Sequence, residues 1–148
     1  MTVTLEELYT ELTNYVTNNL YLSSIDIIDY HDNITSPQIY PIMWVQIANI
    51  TIAENVCTYK MRIAIMDRLG NDNTIARVMS DTAYAFEDLI SYYQNNNDNL
   101  NIWVTNPTTN LQPMLDKTPD KVAGFSGIIA FNCGSGKDFN AIPLQNLD

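Results

Sequence analysis

Apolar residues first recur at helical spacing near the start of the chain. Leu5, Leu8 and Leu12 fall on one face of a helix, and Thr4 precedes them with Glu7 three residues later. A hydroxyl at the N-cap followed by a carboxylate at this distance forms a capping box, which satisfies backbone N–H groups that have no partner in the first turn. The pattern therefore predicts a helix of about four turns.

A longer helical pattern lies in the middle of the chain. Thr74 or Asn73 can cap its first turn, and three consecutive asparagines at 95–97 follow its last turn. One face keeps the helical period throughout, so this segment is the most regular element of the sequence. The residues of that face are Ile75, Val78, Met79, Thr82, Phe86, Leu89, Ile90 and Tyr93.

The strongest strand pattern is a long hairpin. Residues 40–52 are rich in β-branched and aromatic side chains, Glu54-Asn55 marks a turn, and residues 57–65 alternate between faces. A strand that is apolar on both faces is covered twice, so we expect the first strand to be central or covered by a neighbouring subunit. Strict alternation places Met43, Val45 and Ile47 on one of its faces and Ile42, Trp44, Ile50 and Ile52 on the other.

Shorter or later segments also have strand character. Pro113 favours an edge position, and Gly124 and Gly127 predict a bulge or a close backbone contact. The elements run in the order α-β-β-β-α-β-β-β, which predicts an α+β fold: a mixed, mostly antiparallel β-sheet with two α-helices packed on one face. The additional strand segments are 25–29, 100–104, 111–115 and 122–133.

The pattern changes after Cys133. We expect residues 1–133 to form a single α+β domain, because 148 residues fit one domain. Gly134-Ser135-Gly136 predicts a flexible joint, and residues 134–148 then form a C-terminal arm. Large apolar side chains on this arm would be costly to expose to water, so it packs either on its own domain or on another subunit. These side chains are Phe139, Ile142, Leu144 and Leu147.

The chain is acidic. Seventeen Asp and Glu residues face seven Lys and Arg residues, which gives a formal net charge of −10. Proteins that grip nucleic-acid phosphates need clustered bases, and here the bases are scattered, so we expect no specific nucleic-acid binding. No apolar run approaches the length of a membrane span, and the chain does not open with a signal-peptide pattern. We therefore expect no membrane association and folding inside the cell.

Residues that could perform chemistry are few and isolated. Gly134-Ser135-Gly136-Lys137 resembles half of a phosphate loop, but it lacks the earlier glycine and the hydroxyl residue after the lysine. Asp26, Asp29 and Asp32 surround the single histidine, His31, in a region that we interpret as a solvated loop. A nucleophile, a base and an oxyanion donor cannot be assembled from these residues. We therefore expect no enzymatic activity, no cofactor and no metal site.

The two cysteines lie within strand patterns. Cys57 and Cys133 each occur among apolar residues, and no CxxC pair is present. Free cysteine is among the most often buried residue types, so we interpret the two as reduced, buried thiols. A disulfide between them stays open as the alternative.

A candidate subunit interface follows from three features. Lys60 and Arg62 share one face of the predicted return strand. They either form a solvated face that protects a sheet edge or pair with acids on a neighbouring subunit. The other two features are the first strand of the hairpin, which is apolar on both faces, and the apolar C-terminal arm. The candidate interface residues are Trp44, Lys60, Arg62, Phe139, Ile142, Leu144 and Leu147.

The order of the elements and the residue types within them resemble those of a known family. The run Tyr40-Pro41-Ile42-Met43-Trp44-Val45, the strand from Tyr59 to Met66-Asp67, the helix from Ser80-Asp81 through Tyr93, and the strand from Gly124 to Phe131 carry the resemblance. Over residues 1–133 the chain resembles tail-terminator (tail-completion) and head–tail neck proteins of tailed bacteriophages.

The resemblance implies a virion structural protein without catalytic residues. Such subunits pack side by side into a hexameric or dodecameric ring at the neck or head–tail junction, through which DNA passes. The expected partners are further copies and other phage neck, portal or tail proteins, with assembly in the cytoplasm of the bacterial host. An acidic channel would suit this role because it repels phosphates.

A second function stays open beside the ring. An acidic binding protein or inhibitor could present carboxylates in place of nucleic-acid phosphates. That function needs acids concentrated on one face, whereas here they are spread over both predicted helices and several loops.

Overall fold

Two helices and a six-stranded sheet make up the described part of the chain. A computed structural model describes residues 3–27, 39–70, 72–95, 101–104, 109–116 and 121–134. The predicted α+β class and the order α-β-β-β-α-β-β-β are confirmed. The elements are α1 (Leu5–Thr17), β1 (Ser24–Ile27), β2 (Ile42–Ala53), β3 (Val56–Arg68), α2 (Ile75–Asn95), β4 (Ile102–Trp103), β5 (Gln112–Asp116) and β6 (Val122–Gly134).

The sheet is mixed and mostly antiparallel. Its strand order is β1-β2-β3-β6-β4. β5 is not part of this order and pairs with the first half of β6. β1 lies parallel to β2, and every other described pairing is antiparallel. β3 and β6 pair along their whole length, from Val56 opposite Gly134 to Arg68 opposite Val122. These two long strands therefore form the centre of the sheet.

Both helices pack on the same face of the sheet. The odd-numbered residues of β3 and β6 point to that face, and most of them pack with the apolar sides of α1 and α2. This is the predicted face of the return strand, since Tyr59, Met61, Ile63 and Ile65 all belong to the main core. The opposite face, called the back face here, carries a smaller cluster of Ile42, Ala64, Met66 and Val122, with Tyr40, Trp44 and Met114 packed against it.

A β-bulge corrects the predicted face assignment of β2. The pairing with β3 shifts between Ile47 and Asn49, so Ala48 is an extra residue in the ladder. After the shift, Ile50 lies opposite Tyr59 and Ile52 opposite Cys57, which puts both isoleucines on the helix-bearing face. The prediction that they share a face with Ile42 and Trp44 was therefore wrong, because strict alternation does not survive a bulge.

Hydroxyl caps begin both helices. The Thr4 hydroxyl accepts a hydrogen bond from the Glu7 backbone N–H at 3.1 Å, so the predicted N-cap is confirmed, and the same hydroxyl donates to the Glu7 carboxylate at 3.3 Å. At α2 the Arg77 backbone N–H donates to the Thr74 hydroxyl at 3.3 Å. Thr74, and not Asn73, is thus the cap; the Asn73 side chain donates instead to the Arg68 carbonyl.

Gly124 marks a close backbone contact between the two central strands. The β3–β6 register runs without a shift past this position, so the prediction resolves to a close contact and not to a bulge. A Cβ built on Gly124 would lie 1.9 Å from the carbonyl oxygen of Ile65. Only glycine fits at this distance, which explains its place inside a strand.

Candidate functional site

A cleft opens between α1, the loop that follows it, and α2. Its volume is about 570 Å³, and its walls combine carboxylates with tyrosine rings. The carboxylates are Glu11 from α1 and Asp81 and Asp88 from α2. We call this feature the helical cleft. It lies on the side of the molecule that bears the helices, beyond the main core.

Tyrosines give the helical cleft its floor. The Tyr15 ring lies 5.1 Å from the Tyr92 ring, centroid to centroid, and its hydroxyl donates to the carboxylate of Asp88. The Tyr21 hydroxyl donates to Asp67 at 3.4 Å. Tyr84 stands at the rim with 72% of its surface exposed. These hydrogen bonds hold the Tyr15 and Tyr21 rings in place, while Tyr84 offers its ring to solvent.

Two of the carboxylates have no side-chain partner among the residues that the structure describes. Within the described part of the chain, neither Glu11 nor Asp81 makes a hydrogen bond or an ion pair through its side chain. Asp81 is exposed, and Glu11 is half-buried. Asp88 differs because it already accepts the Tyr15 hydroxyl. The helical cleft thus holds negative charge that the described residues do not neutralise.

The carboxylates and tyrosine rings of the helical cleft suit the binding of a cation better than catalysis. Carboxylates and tyrosine faces together attract a guanidinium or ammonium group, the first by charge and the second through the ring quadrupole. Among the described residues, no three His, Cys, Asp or Glu side chains lie close enough to hold one metal ion. The helical cleft thus presents groups whose chemistry suits an organic cation, such as a basic side chain.

Burial governs the titration of Tyr15, Tyr21 and Tyr93, which lie in or below the helical cleft. It raises the pKa of Tyr15 well above the ordinary value of 10, and the hydrogen bond to Asp88 adds to the rise. Burial likewise raises the pKa of Tyr21, where the charges of Asp67 and Asp81 add to it. The pKa of Tyr93 is raised by burial and then by the charge of Glu11.

We expect stability to fall at alkaline pH. A phenol with a raised folded-state pKa keeps its proton more tightly than in the unfolded chain, so its contribution is complete below the ordinary pKa and is lost as pH rises through the folded value. The urea midpoint should therefore drop from about pH 9 to about pH 11, with less of a drop in Tyr15→Phe. A midpoint that stays level while tyrosinate absorbance rises would contradict this expectation.

A basic patch lies on the back face. Lys60 and Arg62 are both exposed there and stand opposite Ala130 and Ile128 of β6, respectively. Ile128 has half of its surface exposed. Within the described residues, neither cation makes an ion pair. We call Lys60, Arg62, Ile128 and Ala130 the back-face patch, and a shallow groove of about 400 Å³ runs across it.

The other predicted interface residues have different positions. Trp44 lies on the back face too, half-buried against the smaller apolar cluster and not within the back-face patch. The arm residues Phe139, Ile142, Leu144 and Leu147 lie outside the described residues. The same holds for His31, Asp29 and Asp32 and for residues 135–137 of the half phosphate loop, whereas Asp26 lies in β1.

The end of the β2–β3 hairpin exposes apolar side chains. Ile50 and Ile52 have 45% and 82% of their surfaces exposed, although both lie on the helix-bearing face. Every residue from Ala48 to Asn55 is exposed. The hairpin thus offers an apolar end beyond the part of the sheet that the helices cover.

The two cysteines are neighbours on the central strands, and Cys133 is no nucleophile near neutral pH. Cys57 and Cys133 stand opposite each other on β3 and β6, and both are free thiols. The prediction of reduced thiols is confirmed, although Cys57 is only half-buried. Burial raises the pKa of the Cys133 thiol to about 12, and the neighbouring Cys57 and Glu7 add to the rise. A thiol with so high a pKa stays protonated near neutral pH and is unreactive.

No model of a known protein family matches the chain, and a search of curated proteins gives no match. Neither described helix is long and apolar enough to cross a membrane.

Proposed function

We propose that the chain is a virion structural protein that forms an oligomeric ring at the neck or head–tail junction of a tailed bacteriophage, as a tail terminator or connector through which DNA passes. The proposal includes no catalytic role and no cofactor. The expected partners are further copies of the chain and neighbouring neck, portal or tail proteins.

One observation carries the proposal: the exposed apolar side chains at the end of the central hairpin. Ile50 and Ile52 project from a long, regular strand pair, and Ile128 is exposed on the back face beside β3. Single exposed apolar residues are common on monomers, but neighbouring ones on a rigid element mark surfaces that bind protein. The hairpin is thus suited to contact another subunit.

Charge also supports a passage for DNA. The chain carries a formal net charge of −10. A ring of such subunits would surround DNA with negative potential, which keeps phosphates from sticking to the wall. The same charge opposes nonspecific association of copies, so assembly needs specific contacts that overcome the repulsion between subunits.

Native mass spectrometry across a range of protein concentrations tests the proposal. We expect a discrete hexamer or dodecamer to appear as concentration rises. The double variant Ile50→Thr/Ile52→Thr should need about tenfold more protein to assemble, since a lost apolar contact of about 1.4 kcal/mol changes an equilibrium by that factor.

Ile75→Thr is the matched control. Ile75 is half exposed on the first turn of α2, away from the hairpin, and its replacement should leave assembly unchanged. A wild-type chain that stays monomeric at every concentration would contradict the ring and favour the acidic binding protein.

A further inference from the structure

Two surfaces of opposite charge lie on opposite sides of one subunit. The helical cleft is acidic and lies on the side of the helices, while the back-face patch is basic and lies on the reverse of the sheet. We propose that the helical cleft of one copy binds the back-face patch of a second copy, so that copies join head to tail. This inference rests on the proposed ring and assigns the surfaces that would build it.

Unpaired charge on both surfaces supports the match. Glu11 and Asp81 have no side-chain partner in the described part of the chain, and the same is true of Lys60 and Arg62. Two carboxylates can therefore meet two cations without breaking any contact described within the subunit. A carboxylate and a guanidinium form short, charge-assisted hydrogen bonds. Such a contact therefore sets the relative orientation of the two copies as well as attracting them.

Apolar surface accompanies the charge on both sides. The rim of the helical cleft exposes Tyr84, and Leu20 beside it is fully exposed. The back-face patch exposes Ile128 directly opposite Arg62. A guanidinium stacks well on a tyrosine ring, and an isoleucine excludes water from the contact. Each surface thus offers both kinds of group that the other can bind.

Placement on opposite sides determines how copies can assemble. A contact between two different surfaces is heterologous, so each copy keeps one free cleft and one free patch until the chain of contacts closes. A ring is the closed form of this arrangement. The chain has only seven Lys and Arg residues against seventeen Asp and Glu residues. The back-face patch of a second copy would therefore supply the cleft with basic groups, of which each subunit has few.

Charge reversal on each surface tests the contact. The cleft variant Glu11→Lys/Asp81→Lys should be basic on both sides, and the patch variant Lys60→Glu/Arg62→Glu should be acidic on both sides. Alone, each is expected to need at least about tenfold more protein to assemble in native mass spectrometry, because every contact would join like charges. Mixed in equal amounts, the two should assemble near the wild-type concentration, since each cleft then meets a patch of opposite charge.

Control substitutions separate position from total charge. Glu87→Lys changes an exposed acid on α2 outside the helical cleft, and Arg77→Glu changes an exposed base on the same helix. Both should assemble as the wild type does. Circular dichroism checks that each variant is folded. If a variant does not fold, the salt dependence of the wild type decides: raising NaCl from about 0.05 M to about 0.5 M should weaken assembly, because salt screens exposed charges.

The outcomes distinguish this contact from the ring itself. If both reversed variants assemble like the wild type, or if the folded variants fail to assemble when mixed, the proposed contact is overturned and the ring stands. Assembly of the wild type that does not depend on salt overturns the contact as well. A wild type that remains monomeric throughout overturns both.

Discussion

Replacing Gly124 with alanine is expected to abolish or severely weaken folding. The new Cβ would lie 1.9 Å from the carbonyl oxygen of Ile65, a backbone atom that cannot rotate away as a side chain can. The central strands β3 and β6 would have to separate at the point where Met66 pairs with Gly124. We expect a loss of about 3 kcal/mol or more, against a total stability of about 5–15 kcal/mol for a domain. Urea unfolding followed by circular dichroism measures it.

Gly70→Ala is the matched control for this substitution. No heavy atom lies within 4 Å of a Cβ built at Gly70, and the backbone there does not have a positive φ. The change should be neutral or stabilise the chain by about 0.4–1 kcal/mol, because alanine restricts the unfolded state more than glycine does. Equal unfolding midpoints for the two variants would contradict the close contact at Gly124.

Truncating Phe131 to alanine should produce the second large loss. The side chain is fully buried on β6 and stands opposite Tyr59 of β3. Its ring meets the Tyr93 ring edge-on, with centroids 5.3 Å apart, and so links the sheet to α2. A large-to-small change at such a site removes apolar burial and leaves a cavity, which costs about 3–5 kcal/mol. Urea unfolding again measures the difference.

Tyr93→Phe tests the other side of the same contact. The Tyr93 hydroxyl is buried without a hydrogen-bond partner in the described part of the chain, while the ring supports Phe131. Removing only the hydroxyl keeps the ring and deletes an unsatisfied polar group, so stability should hold or rise by about 1 kcal/mol. A loss as large as that of Phe131→Ala would mean that the hydroxyl has a hydrogen-bond partner. That bond, and not the packing of the ring, would then contribute most of the stability at this site.

Periodicity was enough to predict most of the elements. The hydroxyls of Thr4 and Thr74 each cap a helix where the sequence places one. The return strand of the hairpin alternates without interruption, so its two faces were assigned correctly. Such elements satisfy local and tertiary preferences together, and this agreement is what makes them readable from one sequence.

The bulge at Ala48 was not readable in the same way. One extra residue moves every later side chain of β2 to the other face, yet no glycine or proline marks the position. Only the pairing with β3 reveals it. Of the predicted strand at 100–104, the structure describes residues 101–104, and among these only Ile102 and Trp103 pair with β6. Pairing partners, not local preference, determine such details.

The helical cleft could have been found only in part. Glu11 and Tyr15 of α1 and its C-cap residue Asn18 recur at helical spacing, and Asp81, Asp88 and Tyr92 form a similar stripe on α2. Each stripe is visible in the sequence as a polar and aromatic face beside the apolar one. That the two stripes face each other depends on how the helices pack on the sheet, which periodicity along one helix does not determine. By contrast, Lys60 and Arg62 were recognised because both lie on one strand.

Electron microscopy of the assembled chain tests the ring most directly. Particles purified at concentrations where assembly is complete should average to closed rings with an open centre and sixfold or twelvefold symmetry. The open centre should be wide enough for duplex DNA. Compact twofold dimers, open filaments or single small particles alone would contradict the account, because a neck or tail ring must close around a channel.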